Sequence, residues 1–113
     1  MSFNEFDVVE KPWGREIRFA HEPEYIGKII EVKEGHKLSL QYHEEKKETM
    51  YVLSGRMLLT LGDEQHEVGE GESITFNPQI VHRVEALSDL RIIEVSTSHM
   101  DDVIRLEDDY KRI

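Results

Sequence analysis

Turn signals recur about every eight to twelve residues along this chain, and the segments between them are short and β-rich. This spacing is typical of an antiparallel sandwich or barrel and leaves no long helical period. Only the tail from Met100 to Tyr110 allows a helical turn. The sequence therefore predicts an all-β fold. Predicted strands outside the central stretch cover residues 16–19, 25–32, 65–68, 73–76, 81–86 and 90–96.

The chain has 113 residues, which suits one compact domain. We interpret residues 1–113 as that domain, with 1–12 as an N-terminal arm that docks through Phe3, Phe6, Val8 and Val9, and 97–113 as a docked tail. Trp13 reads as a hydrophobic anchor. The formal charge of −10 argues against a nucleic-acid partner, because phosphates would be repelled.

The sequence has no cysteine and no segment that resembles a secretion signal or a membrane span, which limits the kinds of metal site and the cellular location that we expect. There is no cysteine, so neither a disulfide nor a thiolate metal site can form. The first eleven residues, MSFNEFDVVEK, lack the basic and apolar pattern of a secretion signal, and no apolar run approaches membrane-spanning length. We therefore expect a cytoplasmic protein without a membrane partner.

The stretch from Gly35 to Gly55 concentrates metal-binding side chains among residues that otherwise read as strand. Gln41 and His43 are two residues apart and share a strand face, and Glu48 can rejoin that face after a polar turn. His82 offers a fourth donor downstream. One carboxylate, two imidazoles and one amide would leave coordination positions open for water or substrate. Zinc is the default ion, with manganese, iron, cobalt or nickel as alternatives, and a metal-free barrel competes with this interpretation.

The remaining histidines, His21, His36, His66 and His99, are interpreted as structural or surface residues. Within the central stretch, Leu38, Leu40 and Tyr42 alternate with Ser39, Gln41 and His43. If the polar set faces the barrel interior, the apolar set faces outward and must be covered by another sheet, by the N-terminal arm or by a second subunit. This predicts a homodimer.

Two glycine-bounded spacings resemble the cupin motifs. The first is Gly35, five residues, Gln41, one residue, His43, four residues, Glu48, six residues and Gly55. The second runs from Gly71 to His82, with Asn77 in the usual proline place, Gln79 in the usual glycine place, and Ala86 in the final Asn place. The resemblance implies a single cupin (jelly-roll) antiparallel β-barrel in which His82 faces the other three donors.

The similarity extends to type II mannose-6-phosphate isomerases, in which the first ligand place is commonly glutamine. It also resembles the isomerase domain at the C-terminus of the bifunctional mannose-1-phosphate guanylyltransferase/isomerase enzymes. The matching segments keep the order of that family: KPWG at 11–14, LSLQYH at 38–43, residues 48–55, VHRVE at 81–85, IIEV at 92–95 and DDVIRLEDDYKR at 101–112.

This resemblance implies interconversion of an aldose phosphate and a ketose phosphate, most simply mannose 6-phosphate and fructose 6-phosphate. It implies catalytic roles for Lys46, two residues before the ligand glutamate, and for Arg105 in the tail; a solvated Lys46 in a charged turn is the alternative. A lysine buried next to a cation would have a lowered pKa. Thr49 and Met50 replace a histidine and a tryptophan of the family, which favours a non-catalytic sugar-binding or sensor cupin. A metal-dependent dioxygenase is a third alternative, because cupins host that chemistry too.

Overall fold

The computed structural model describes residues 5–113, and within that range the chain is built from eleven strands in two antiparallel sheets. The all-β prediction is confirmed. The strands are β1 (Asp7–Lys11), β2 (Gly14–His21), β3 (Ile26–Val32), β4 (Leu40–Tyr42), β5 (Glu48–Ser54), β6 (Met57–Leu61), β7 (Glu64–Val68), β8 (Ser73–Phe76), β9 (His82–Ala86), β10 (Leu90–Ser96) and β11 (Ile104–Glu107).

The six-stranded sheet has the order β1-β2-β3-β10-β5-β8, and the five-stranded sheet has the order β11-β4-β9-β6-β7. Neighbours in space are thus often distant in sequence, as in a jelly roll. The helical turn expected between Met100 and Tyr110 is wrong, because β11 pairs with β4 there. Of the residues interpreted as an arm, Phe3 lies outside the described residues, whereas Asp7–Lys11 form β1 and pair with β2.

The core lies between the sheets and is filled from both. Fully buried side chains include Leu59 and Val84 of the five-stranded sheet and Met50, Phe76 and Ile92 of the six-stranded sheet. The alternation along each strand explains this, because every second side chain of β5 and β10 points inward. Trp13 is 3% exposed and belongs to this core, as its interpretation as an anchor required.

The outward stripe predicted for Leu38, Leu40 and Tyr42 is only partly right. Leu40 and Tyr42 are half-buried on β4, but Leu38 is 8% exposed and packs in the core. Leu38 precedes the strand, and both it and Ser39 are buried, so the alternation has not yet begun there. The alternation of apolar and polar residues therefore predicted a longer regular strand than the structure contains.

A group of buried charged residues interrupts the apolar core on the inner side of β2, β3, β5 and β10. It comprises Glu16, Lys28, Glu48 and Glu94, together with Lys46 just before β5. Burying charge is costly unless the charges pair, so this group marks a place where another constraint outweighs core packing. In residues 5–113, no helix combines the length and apolarity needed to traverse a bilayer.

Candidate metal centre

His43, Glu48 and His82 meet inside the barrel although they come from three separate parts of the chain. His43 follows β4, Glu48 begins β5, and His82 begins β9. One ligand atom from each residue lies within 4.8 Å of the other two. All three side chains are at most 3% exposed. The Phe76 ring stacks on His82 at 4.2 Å between centroids and fixes its plane.

Both histidines are held by the ring nitrogen that faces away from Glu48. His43 Nδ1 lies 2.5 Å from the carbonyl oxygen of Asp102, and His82 Nδ1 lies 2.9 Å from the carbonyl oxygen of Ile80. A carbonyl only accepts hydrogen bonds, so each Nδ1 carries the proton and donates. In the neutral rings, each Nε2 is left with a free lone pair, which is the tautomer that binds metal ions.

The two Nε2 atoms point at the same carboxylate oxygen. Glu48 Oε1 lies 3.2 Å from His43 Nε2 and 3.3 Å from His82 Nε2. Two nitrogen lone pairs and an anionic oxygen repel each other unless a proton or a metal cation lies among them. His82 Nε2 is also buried without a hydrogen-bond partner among the described residues. These residues therefore fit a divalent cation.

Gln41 lies beside this cluster through its strand pairing. It is opposite His82 in the β4–β9 register and opposite Arg105 in the β4–β11 register. Its Oε1 accepts a 2.9 Å hydrogen bond from Ser39 Oγ, which orients the amide. Gln41 lines the same cavity as His43, and its role as a fourth ligand stays a prediction.

Lys46 is buried rather than solvated, with its side chain 6% exposed. Its Nζ lies 3.1 Å from Glu48 Oε2 and 3.7 Å from Glu94 Oε2. Burial lowers the pKa of Lys46, but Glu94 and Glu48 outweigh it and raise the pKa above its ordinary value. Among the protein's own groups Lys46 is therefore a buried ammonium, and the lowering of its pKa next to a metal cation stays a prediction.

Glu94 is a site residue that sequence reasoning missed. It lies on β10 inside the matched IIEV segment, and its Oε2 is buried without a hydrogen-bond partner in the described part of the chain. Burial and the charge of Glu48 raise the pKa of Glu94 to about 8. By contrast, burial of Glu48 is outweighed by His43, His82 and Lys46, which hold its pKa well below the ordinary value. The available signal was a lone acidic residue within an apolar strand.

Asp102 is a second missed residue, and it ties the tail to the cluster. Besides its carbonyl contact with His43, its carboxylate accepts hydrogen bonds from the backbone N–H groups of Glu44, Glu45 and Lys46 at 2.8–2.9 Å. The loop between two ligands is thus held by one tail residue. The matched DDVIR segment contains this residue, but no role was predicted for it.

Gln79 supports the same loop from the other side. Its φ of +74° is in the left-handed region, which glycine occupies more readily. Its backbone N–H donates to the carbonyl of His43 at 2.7 Å, and its Nε2 donates to the carbonyl of Glu44 at 3.0 Å. The conformation expected at the glycine place of the second motif is kept, and the glutamine side chain adds a contact.

The cluster borders a cavity of about 370 Å³ that collects most of the cationic groups of the interior. Arg105 lies on β11 at its wall, and its Nε is buried without a hydrogen-bond partner among residues 5–113. The charged residues of the wall are Lys11, Glu16, Arg18, Lys28, Lys46, Glu94, Asp101, Arg105 and Arg112. Among the other histidines, His36 contacts Tyr110, and His21, His66 and His99 likewise lie outside the cluster.

Comparison with known proteins assigns the fold to a family. The family profile described as "Cupin domain" matches residues 28–96, which is more than half of the chain. The chain belongs to the cupin family. The structure of an RmlC-like cupin from Shewanella frigidimarina superposes with a TM-score of 0.76 at 12% identity, covering 86% of this chain and 87% of that one.

A second solved structure, oxalate decarboxylase from Bacillus subtilis, gives a TM-score of 0.79 at 19% identity over 94% of this cupin and 31% of that chain. At this identity the likeness concerns the fold alone. Among curated proteins, mannose-1-phosphate guanylyltransferase RfbM of Salmonella typhimurium is 32% identical over 110 residues. The match covers 93% of this cupin but only 23% of that enzyme, so this chain corresponds to a small part of its relative.

Proposed function

We propose that this cupin catalyses metal-dependent aldose-ketose isomerisation of a sugar phosphate, most simply between mannose 6-phosphate and fructose 6-phosphate. The observation that carries the proposal is the buried cluster of His43, Glu48 and His82 beside a cavity rich in Lys and Arg. The similarity to part of mannose-1-phosphate guanylyltransferases supports a related sugar phosphate as substrate.

The cluster is proposed to hold one divalent ion, zinc by default, through His43, Glu48, His82 and Gln41. When bound, the ion would supply Lewis acidity toward the carbonyl and hydroxyl oxygens of the open-chain sugar. The Nδ1 contacts to Asp102 and Ile80 keep both imidazoles in the required tautomer. Burial of the cluster excludes water from these donors, which strengthens their interaction with charge.

Isomerisation requires a proton to move from carbon 2 to carbon 1 through a cis-enediol. We propose that Lys46 and Glu94 act together in this transfer, because both line the cavity and their polar atoms lie 3.7 Å apart. With a pKa of about 8, the buried carboxyl group of Glu94 is suited to exchange a proton with the substrate, and the Lys46 ammonium stabilises the negative charge of the enediolate. Lys46 keeps the catalytic place implied by the family resemblance, with Glu94 as an added partner.

Arg105 is proposed to orient the substrate. The β4–β11 pairing places the Arg105 backbone opposite Gln41, and the unpartnered Nε of Arg105 can donate to a sugar oxygen. A planar guanidinium offers several donors in fixed directions, so it constrains the orientation of a polyhydroxylated chain. This role requires that the tail stays docked, as the Asp102 contacts provide.

The sensor alternative loses part of its basis, because the two substituted residues lie away from the cavity. Thr49 faces out of the sheet, where its hydroxyl contacts Thr75, and Met50 is 1% exposed within the core. Neither residue lines the cavity, so these departures from the isomerases do not alter its wall. A sensor cupin would bind a sugar phosphate without turnover, and a dioxygenase would consume oxygen when loaded with iron.

The decisive experiment is an isomerase assay on purified protein reconstituted separately with zinc, manganese, cobalt, nickel and iron. We expect conversion of mannose 6-phosphate to fructose 6-phosphate, followed by ¹H NMR in D₂O, with solvent deuterium entering the transferred position. The Lys46→Met variant should lose about 10²–10⁴-fold in kcat, because removing the ammonium disrupts a proton transfer, which usually contributes a factor of this size. Absence of turnover on several sugar phosphates by protein with bound metal would reject the proposal.

A further inference from the structure

Three cations surround one carboxylate at the end of the cavity formed by β1, β2 and β3. Glu16 Oε1 lies 3.2 Å from Lys28 Nζ and 3.3 Å from Arg18 Nε, and Glu16 Oε2 lies 3.8 Å from Lys11 Nζ. The four residues come from three adjacent strands and point to the same side of the sheet.

This arrangement holds more positive charge than its own pairing requires. One carboxylate neutralises one of the three cations, and the carboxyl group of Glu94, 3.8 Å from Lys28, is shared with Lys46 at 3.7 Å. Burial raises the pKa of Glu16, but Lys28, Lys11 and Arg18 outweigh it and keep the pKa below its ordinary value. The group thus keeps a positive surplus inside a protein whose formal charge is −10.

The surplus is costly to maintain without a further anion. Lys28 is 8% exposed and cannot be solvated, whereas Lys11 and Arg18 are 21% and 25% exposed at the cavity wall. Buried like charges repel each other in a low-dielectric interior. A tetrahedral dianion matches such a group, because an arginine fork and two ammonium groups can donate to several of its oxygens.

The position of the group matches the shape of a sugar phosphate. A continuous series of ion pairs runs from Glu48 through Lys46, Glu94 and Lys28 to Glu16, so the group lies at the far end of this series from the metal cluster. In a hexose 6-phosphate, the carbonyl and the phosphate lie at opposite ends of the carbon chain. The end of the cavity at the metal cluster would thus bind the carbonyl, and the opposite end would bind the phosphate.

We propose that Lys11, Arg18 and Lys28 form the subsite for the dianionic phosphate group of the substrate. The identity of the sugar rests on the proposed function, whereas the phosphate subsite is testable without it. This gives Lys11 of the KPWG segment a role that the metal centre does not supply.

The test compares Arg18→Met with Arg15→Met. Arg15 lies on the same strand, pairs with Glu31 on the other face and does not line the cavity, so its loss removes the same charge elsewhere. We expect Arg18→Met to raise the KM for mannose 6-phosphate about tenfold or more, as for loss of a charge-assisted hydrogen bond. Its kcat should change much less, and Arg15→Met should match the wild type.

Calorimetric titration with inorganic phosphate supplies a readout that needs no turnover. Phosphate should bind the wild type and Arg15→Met equally, and about tenfold or more weakly to Arg18→Met. Unphosphorylated mannose should show no difference among the three proteins. Lys11→Met, at the end of β1, repeats the test with a second residue if Arg18→Met fails to fold.

The outcomes separate the subsite from the isomerase function. Phosphate binding that is lost in Arg18→Met, in a wild type without isomerase activity, supports the subsite and rejects the function. Folded Arg18→Met and Lys11→Met with the KM and phosphate affinity of Arg15→Met overturn the subsite, whatever the activity. A wild type that binds no phosphate and turns over no sugar phosphate overturns both.

Discussion

At the residue scale, the chemistry of the centre depends on which nitrogen of each histidine carries a proton. Backbone carbonyls of Asp102 and Ile80 accept from the two Nδ1 atoms, so both Nε2 lone pairs face Glu48. The same geometry that favours a metal cation is repulsive when neither a proton nor a metal ion lies among these atoms. Metal binding should therefore contribute both affinity and folding stability.

We expect Glu48→Gln to lower the affinity for zinc by more than about 100-fold. Loss of a residue that hydrogen-bonds to a ligand costs up to about 100-fold in metal affinity, and Glu48 is itself the anionic donor of the cluster, so its loss should cost more. Equilibrium dialysis with elemental analysis measures this. Glu64→Gln is the matched control, since Glu64 also lies 3.1 Å from a histidine, His66, but on the exposed surface. Equal metal content in the two variants would contradict the proposed ligand set.

At the element scale, the edge strand β11 shows how a short segment acquires a role from the strand that it pairs with. β11 is four residues long and mostly exposed, yet its pairing with β4 places Arg105 opposite Gln41. The preceding tail residue, Asp102, then binds the loop that carries Lys46. The tail is therefore part of the site rather than an appendage.

We expect Asp102→Ala to destabilise the fold by roughly 2 kcal/mol and to reduce activity, since three backbone N–H groups lose a charged acceptor. Denaturant unfolding measures the stability. Asp89→Ala, which removes an acceptor from the single N–H of Glu34, is the control and should cost less. Equal losses in the two variants would show that the tail contact does not hold the loop.

The same contact predicts a pH dependence of known sign. Burial raises the pKa of Asp102, but the N–H groups of Glu45, Glu44 and Lys46 outweigh it and hold the pKa below its ordinary value of 3.8. A depressed folded-state pKa stabilises the fold above the unfolded value, and this stability is lost as the pH falls through the folded pKa. The stability difference between wild type and Asp102→Ala should therefore shrink below pH 3.8.

At the scale of the whole molecule, charge and apolar surface are distributed unevenly. The surface carries the net negative charge while the cavity collects cations, so an anionic substrate is attracted only at close range. An apolar row, Val8, Ile17, Ile29, Ile93 and Tyr51, crosses five strands in register on the outer face of the six-stranded sheet. Val95 beside it is 48% exposed.

The homodimer remains a prediction, and this outer face suits it better than the β4 stripe, because Leu38 is in the core. Two copies of one flat apolar face can pack isologously. Sedimentation velocity at micromolar concentration should show a dimer that the double variant Tyr51→Lys/Val95→Lys dissociates. Ile80→Lys, which alters a 43% exposed residue in another region, is the control. A monomeric wild type would reject the prediction.

The sequence by itself determined the fold class and most of the strands. Turn spacing and alternation suffice for β8 and β10, whose predicted bounds match those observed, because local geometry sets them. Motif spacing also predicted that His43, Glu48 and His82 converge, and their ligand atoms lie within 4.8 Å of one another. The backbone conformation at a motif position can persist when the residue type differs: Gln79 occupies a glycine position of the motif and has a left-handed φ of +74°.

Only the tertiary structure decided what surrounds these residues. Whether Lys46 is solvated or buried, and whether its pKa falls or rises, depends on Glu94, which is brought to it by the pairing of β10 with β5. The roles of Asp102 and of the group around Glu16 likewise depend on contacts between segments far apart in the chain. Periodicity reports which face a side chain occupies, but charge interactions depend on distance, and distance between strands is set only by folding.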